Sequence, residues 1–147
     1  MEIRCMTIAD YDQVHMLWTH TPGMGLNQLD DSREGIEKYL KRNQGTCFVA
    51  EENGRIIGGI LSGHDGRRGF IYHTAVLEAY RKQGIGKKLV EEAMNALEKE
   101  GIHKVALVAF KQNQAGNDFW EEIGFEERRD LVYRNKVIHE SQAINTL

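Results

Sequence analysis

The sequence predicts a mixed α/β fold, a central and mostly antiparallel twisted sheet of six or seven strands flanked by about four helices. Three observations predict it. Strand-like and helix-like hydrophobic periodicities alternate along the chain. Three successive strand segments in the middle are joined by short turn signals, so that part of the sheet is an antiparallel meander. The length of 147 residues is that of one ordinary domain, with no repeat, linker or low-complexity stretch, so residues 1–147 read as a single unit.

Taken in order, Glu2–Met6 reads as the first strand. Ala9–Thr19 reads as a helix, with Tyr11, Val14, Leu17 and Trp18 at helical spacing. The segment His20-Thr21-Pro22-Gly23-Met24-Gly25 stops it. Asp31 with Glu34 three residues later forms a capping box for a helix over Gly35–Arg42, striped by Ile36, Tyr39 and Leu40. Thr46–Glu51 and Arg55–His64 read as strands around Glu52-Asn53-Gly54, a hairpin signal because Asn and Gly both tolerate positive φ. The turn Asp65-Gly66-Arg67-Arg68-Gly69 leads to a fourth strand, Phe70–Leu77. A long helix follows over Gly84–Lys99, with Ile85, Leu89, Val90, Ala93, Met94 and Leu97 on its buried side and Gly101 as its C-terminal cap. Lys104–Phe110 is a nearly continuous apolar run, read as a fifth strand covered on both faces. Asn113–Ile123 is a short helix, and Phe125–Arg134 and Lys136–His139 are closing strands.

Composition excludes several classes. Apolar residues make up 41 % and charged residues 28 %, and proline occurs once, which is a globular composition. The net charge of −3 leaves no basic excess for general nucleic-acid binding. No apolar run approaches the roughly 18 residues of a membrane span. Met1-Glu2-Ile3-Arg4 lacks a signal-peptide apolar core, so the chain is expected to be cytoplasmic, with no membrane partner. Cys5 and Cys47 sit in apolar strand contexts and read as buried reduced thiols, with no metal site.

The stretch that carries chemistry is Arg81-Lys82-Gln83-Gly84-Ile85-Gly86-Lys87. It follows a strand and opens a helix. Two glycines let backbone N–H groups approach a ligand, and the helix start adds unpaired donors and partial positive charge. Lys82, Lys87, Lys88 and Arg81 raise the local potential, so a pyrophosphate is the natural guest. A tight turn with solvated lysines is the structural alternative. Neither a dinucleotide fingerprint nor a P-loop fits this spacing.

Its context is a strand ending Ala75-Val76-Leu77-Glu78-Ala79-Tyr80, then after the helix a strand, Asn113, and Phe119-Trp120-Glu121-Glu122-Ile123-Gly124-Phe125. The whole resembles the Gcn5-related N-acetyltransferase (GNAT) superfamily, whose signature is an (R/Q)-x-x-G-x-(G/A) loop between strand and helix, here Arg81, Gly84 and Gly86. The resemblance covers Phe70–Phe125 and, by element order, most of the chain. It implies a sheet splayed between the fourth and fifth strands and acetyl-CoA as co-substrate. It implies that the backbone of Val76, Leu77 and Glu78 lies along the acetyl and pantetheine end. Arg81, Lys82, Gln83, Gly84, Ile85, Gly86, Lys87, Lys88 and Leu89 would then surround the pyrophosphate, and Asn113 would bond the pantetheine or position its helix. A primary amine, on a small molecule, a protein N-terminus or a lysine, would attack the thioester directly. A monomer or homodimer is expected.

Two positions depart from the family pattern. Where many members carry a thiolate-protonating Tyr this chain has Trp120, and where some carry a Glu base it has Val108. An indole N–H is no usable acid. The candidate replacements are Tyr72 and His73 on the fourth strand. His73 is the better base, because histidine titrates near neutral pH. Strand alternation turns only one of the two toward the cleft. A hydrogen-bonded structural His73 and a core Tyr72 are the alternatives. The resemblance places the acceptor wall in Trp18–Asp31, where Trp18, Met24 and Leu26 would line an apolar pocket and Asp30 and Asp31 would attract a cation. Asp31 also reads as a helix cap and Trp18 as core. Arg128-Arg129-Asp130 reads as a solvated strand end. An acyl-CoA sensor without turnover, or a transferase with another acyl donor, would keep the same fold.

Overall fold

Asn53 and Gly54 both adopt left-handed backbone, φ 51° and 79°, and close the hairpin between β3 (Phe48–Glu52) and β4 (Arg55–His64). The structure is a computed structural model, and it describes residues 1–144 and Thr146. Asp65 turns the chain again, its Oδ1 accepting the N–H groups of Arg67 and Arg68 at 2.8 Å each. β5 (Gly69–Val76) then runs back antiparallel to β4. β1 (Glu2–Cys5) pairs antiparallel with β3, and β6 (Val105–Ala106) pairs parallel with β5, giving the order β1-β3-β4-β5-β6. A separate pair joins β2 (Leu26–Asn27) to β7 (Ala143–Ile144).

Helices cover both faces. α1 (Tyr11–Thr19) and α2 (Arg33–Arg42) bury Val14, Leu17, Trp18 and Ile36 against Val49, Ile56 and Leu61. α3 (Ile85–Lys99) buries Ile85, Leu89, Val90 and Ala93 against Ala50, Ile57, Ile60 and Ile71. The neighbours Val49/Ala50, Ile56/Ile57 and Ile60/Leu61 fall into opposite cores, as a period of two requires. α4 (Gln114–Glu122) lays Phe119 and Trp120 on the α3 side. Gly58 of β4 lets α3 come close: a Cβ there would lie 3.2 Å from Leu89 Cδ1.

Two features of β5 shape the site. Ile60 pairs with Thr74 and Ser62 with Ile71, so Tyr72 and His73 together face the single residue Leu61. This is a β-bulge, which bends the strand and breaks the alternation of its side chains. The second feature is the splay. β5 and β6 pair only at Gly69–Val105 and Phe70–Ala106 and then part. The expected splay between the fourth and fifth strands lies there, and the extra twist of the bulge accounts for the divergence.

Several expectations are corrected. The fifth strand is two residues long and not covered on both faces, because after the splay it has no sheet neighbour; Val108 and Phe110 are 56 % and 54 % exposed. The closing strands over Phe125–Arg134 and Lys136–His139 do not form. Five charged residues, Glu126–Asp130, prefer solvent, and Arg128 forks onto Asp130 in a local bend. Leu131, Val132, Tyr133, Val137 and Ile138 after them are exposed, with no sheet face to cover. Among the described residues the central sheet therefore has five strands rather than six or seven. Cys5 is exposed, since it ends the edge strand β1, whereas Cys47 is buried. The cap of α2 is Ser32, whose Oγ accepts from the Gly35 N–H at 3.0 Å, and not Asp31.

Candidate active site

The loop between β5 and α3 offers donors. Gly84 caps α3 in left-handed backbone, φ 80°, with open space where a Cβ would stand. The first intrahelical bond runs from the Lys88 N–H to the Gly84 carbonyl at 3.0 Å. The N–H groups of Ile85, Gly86 and Lys87 therefore precede the ladder, and none has a backbone partner among the described residues. Lys88 and Leu89 donate inside the helix, which withdraws their backbones from the expected set of contacts. Ile85 and Leu89 have buried side chains, while Lys82, Gln83, Lys87 and Lys88 are exposed. Arg81 is exposed, and its Nε donates to the Val76 carbonyl at 3.0 Å, tying the loop to the strand end. Gly86 serves packing as well as approach, since a Cβ there would lie 3.3 Å from the Phe119 ring.

The strand end is equally specific. The Leu77 N–H donates to the Ile57 carbonyl at 2.8 Å and is spent on β4. In an alternating antiparallel ladder Val76 then turns its own N–H to the other edge, where β6 has diverged. Of the three residues expected along the acetyl end, Val76 is the one whose strand N–H has no backbone partner among the described residues. Glu78 starts a single 3-10 turn over Glu78–Tyr80. Asn113 caps α4, its Oδ1 accepting from the Gly116 N–H at 3.0 Å, so it positions that helix.

On the other face a groove of about 590 Å³ is lined by Gly25, Asn27, Asp30 and Asp31 before α2, by Tyr39 on it, and by Tyr72 and His73. Both members of the candidate pair face this groove, because the bulge overrides alternation. His73 Nε2 lies 2.7 Å from Asp31 Oδ1, with the side chains 14 % and 4 % exposed. The other Asp31 oxygen accepts the Asn27 N–H at 2.9 Å, and the Asp31 carbonyl accepts the Tyr11 hydroxyl at 2.6 Å. The Trp18 ring meets His73 edge-on at 4.8 Å, and its enclosed Nε1–H has no hydrogen-bond partner among the described residues. Tyr72 is 49 % exposed; burial, then Tyr133 and Asp30, raise its hydroxyl above the ordinary phenol value, so it stays protonated at neutral pH.

Met24 and Leu26 do not line the groove. Both are buried in the core, as is Trp18. Trp120 stacks edge-on with Phe119 and Phe125, at 5.0 and 5.2 Å, and belongs to the α3-side core. Sequence reasoning missed the Asp31–His73 contact. It spans 42 residues, and no local pattern marks it.

A family model described as the acetyltransferase (GNAT) family matches residues 11–125. An acetyltransferase of Pectobacterium atrosepticum is 31 % identical over 142 residues, covering 97 % of this chain and 99 % of that protein. One from Sodalis glossinidius is 30 % identical with the same coverage. Among solved structures, a PaiA N-acetyltransferase from Thermoplasma acidophilum in complex with coenzyme A superposes with a TM-score of 0.71 at 23 % identity, covering 84 % of this chain and 87 % of that one. An aminoglycoside N-acetyltransferase in complex with CoA gives 0.72 at 20 % identity, with 92 % and 93 % covered. Both share the fold.

Proposed function

The chain belongs to the acetyltransferase (GNAT) family, and from that premise we propose that it transfers an acetyl group from acetyl-CoA to a primary amine by direct attack. One observation carries the reading. β5 presents the Val76 N–H beside the open start of α3, and three residues away the bulged Tyr72–His73 pair faces a groove whose charged lining is Asp30, Asp31, Lys38 and Arg42. At about 3.3 Å per residue the two ends lie about 10 Å apart, so donor and acceptor would meet across one strand.

When bound, acetyl-CoA supplies an acyl thioester activated toward an amine. The residues fit that group. The N–H groups of Ile85, Gly86 and Lys87 would hold the pyrophosphate, with Lys82, Lys87 and Lys88 adding positive potential. The Val76 N–H would polarise the acetyl carbonyl. The exposed Asp30 would attract a cationic acceptor at the groove, and His73 takes the ammonium proton so that the nitrogen becomes nucleophilic. Tyr72, protonated at neutral pH, can donate a hydrogen bond in the same space. Orientation of the two reactants supplies much of the remaining rate.

The test is thiol release from acetyl-CoA with a panel of neamine, spermidine, glycinamide and a tripeptide with a free N-terminus. Turnover is expected with at least one. His73→Gln should lower kcat/KM by roughly a hundredfold and remove the acid limb of the pH–rate profile. Tyr72→Phe should cost much less. Tight acetyl-CoA binding with no thiol release for any amine would instead favour a sensor. A deep loss in Tyr72→Phe with a near-normal His73→Gln would exchange the two roles.

A further inference from the structure

We propose that Asp31 is the positioning residue for His73: its buried carboxylate holds the Nε2–H and so keeps Nδ1 bare to receive the acceptor's proton. The inference rests on the reading of His73 as the base. A carboxylate only accepts hydrogen bonds, so at 2.7 Å the proton between Asp31 Oδ1 and the imidazole belongs to Nε2. The hydrogen bond made by one ring nitrogen then sets the state of the other. Among the described residues Nδ1 has no hydrogen-bond partner, and it is not enclosed, since Trp18 Nε1 is the enclosed side-chain polar atom without one. Nδ1 therefore opens to solvent in a residue that lines the groove.

Asp31 is itself held from three directions. Its Oδ2 takes the Asn27 N–H, its carbonyl takes the Tyr11 hydroxyl, and it directly precedes Ser32, the cap of α2. A carboxylate at 4 % exposure with both oxygens occupied is fixed in place and is poorly available to bind an amine directly. The groups in contact with the imidazole are Asp31 from the loop before α2, Trp18 from α1 and Tyr72 from its own strand, and Asp30, Lys38 and Arg42 line the same groove. Of those in contact, the Asp31 carboxylate is the anion. When the ammonium gives a proton to Nδ1, the imidazolium formed is neutralised by Asp31 across the existing bond. The nitrogen lone pair released on the acceptor is then free to attack, and the imidazolium later returns its proton to solvent.

Nitrogen-15 NMR of the full chain tests this without an acceptor, with the His73 ring signals assigned by their loss in His73→Gln. At the pH of turnover, wild-type His73 should show a protonated Nε2 and a bare Nδ1. Asp31→Asn should reverse or mix the tautomers, because the amide can donate to Nε2. With the fastest panel amine, Asp31→Asn should lower kcat at least tenfold while acetyl-CoA affinity by calorimetry stays within twofold. The double variant Asp31→Asn/His73→Gln should be no more than twofold worse than His73→Gln, since the two residues act as one unit. A protonated Nδ1 in the wild type, an unchanged tautomer with unchanged kcat in Asp31→Asn, or an additive double variant would overturn the inference. A near-normal His73→Gln would overturn the base reading itself, and no turnover with any amine would overturn acetyl transfer while the tautomer result stands.

Discussion

Cys5 and Cys47 show how one residue's surroundings decide its chemistry. Burial pushes the Cys47 thiol up to about 12, while Cys5 is exposed at the end of the edge strand. A thiol reagent at neutral pH should therefore titrate one cysteine in the native protein and two after unfolding, and two fast native reactions would contradict the burial of Cys47. Asp10 makes a second case. Burial alone would raise its carboxyl, but the Arg4 guanidinium at 2.8 and 2.9 Å and the Thr7 N–H outweigh that and hold it below the usual value. A depressed folded value stabilises the fold above the unfolded carboxylate value, about 3.9, and the benefit is lost as pH falls through the folded value. Arg4→Met should cost about 1–3 kcal/mol at neutral pH and far less in acid, as read from urea midpoints at the two conditions. Asp31 marks the limit of sequence reading at this scale. Asp31 and Ser32 are both good caps and adjoin each other, so the spacing to Glu34 cannot choose between them. His73 on β5 takes the Asp31 carboxylate, and the Gly35 N–H goes to Ser32.

At the scale of elements, the long helix and the hairpin were legible because each carries its own signal. α3 has an unbroken apolar stripe ending at Gly101, and the β3–β4 turn carries Asn-Gly. The weak elements were those whose formation depends on a neighbour. Lys104–Phe110 is apolar enough for a strand, yet only two residues pair, because β5 bends away after Phe70. The anion loop was legible as backbone chemistry, whereas the second role of Gly86 was not, since Phe119 arrives from α4. That contact sets a prediction. Gly86→Val should lower acetyl-CoA affinity at least tenfold, about 1.4 kcal/mol, and should also lower the melting temperature by pressing on Phe119. Adding Phe119→Leu should restore the melting temperature but not the affinity. Recovery of both would mean that Gly86 serves packing alone.

At the scale of the whole molecule, the candidate acceptor wall is held by a chain of contacts that begins far from it in sequence. β7 pairs with β2 through Leu26–Ile144 and Asn27–Ala143, and the Gln28 N–H donates to the Gln142 carbonyl at 3.0 Å. Ile144 packs on the core that holds Leu26 and Met24. Asn27, so clasped, gives its N–H to Asp31, and Asp31 holds His73. The donors proposed for acetyl-CoA share none of these links, because they belong to the β5 end and the start of α3. Loosening the clasp should therefore separate the two halves of the site. Ile144→Asp places a charge in a half-buried apolar position. If it costs the clasp about 1 kcal/mol, kcat/KM for the fastest panel amine should fall about fivefold. Hydrogen exchange should speed up at the amides of Asn27 and Gln28, while acetyl-CoA affinity by calorimetry stays within twofold. An equal loss in both ligands would show that the sheet as a whole had loosened. Unchanged kinetics with faster exchange at Asn27 and Gln28 would show that the groove keeps its shape without the clasp.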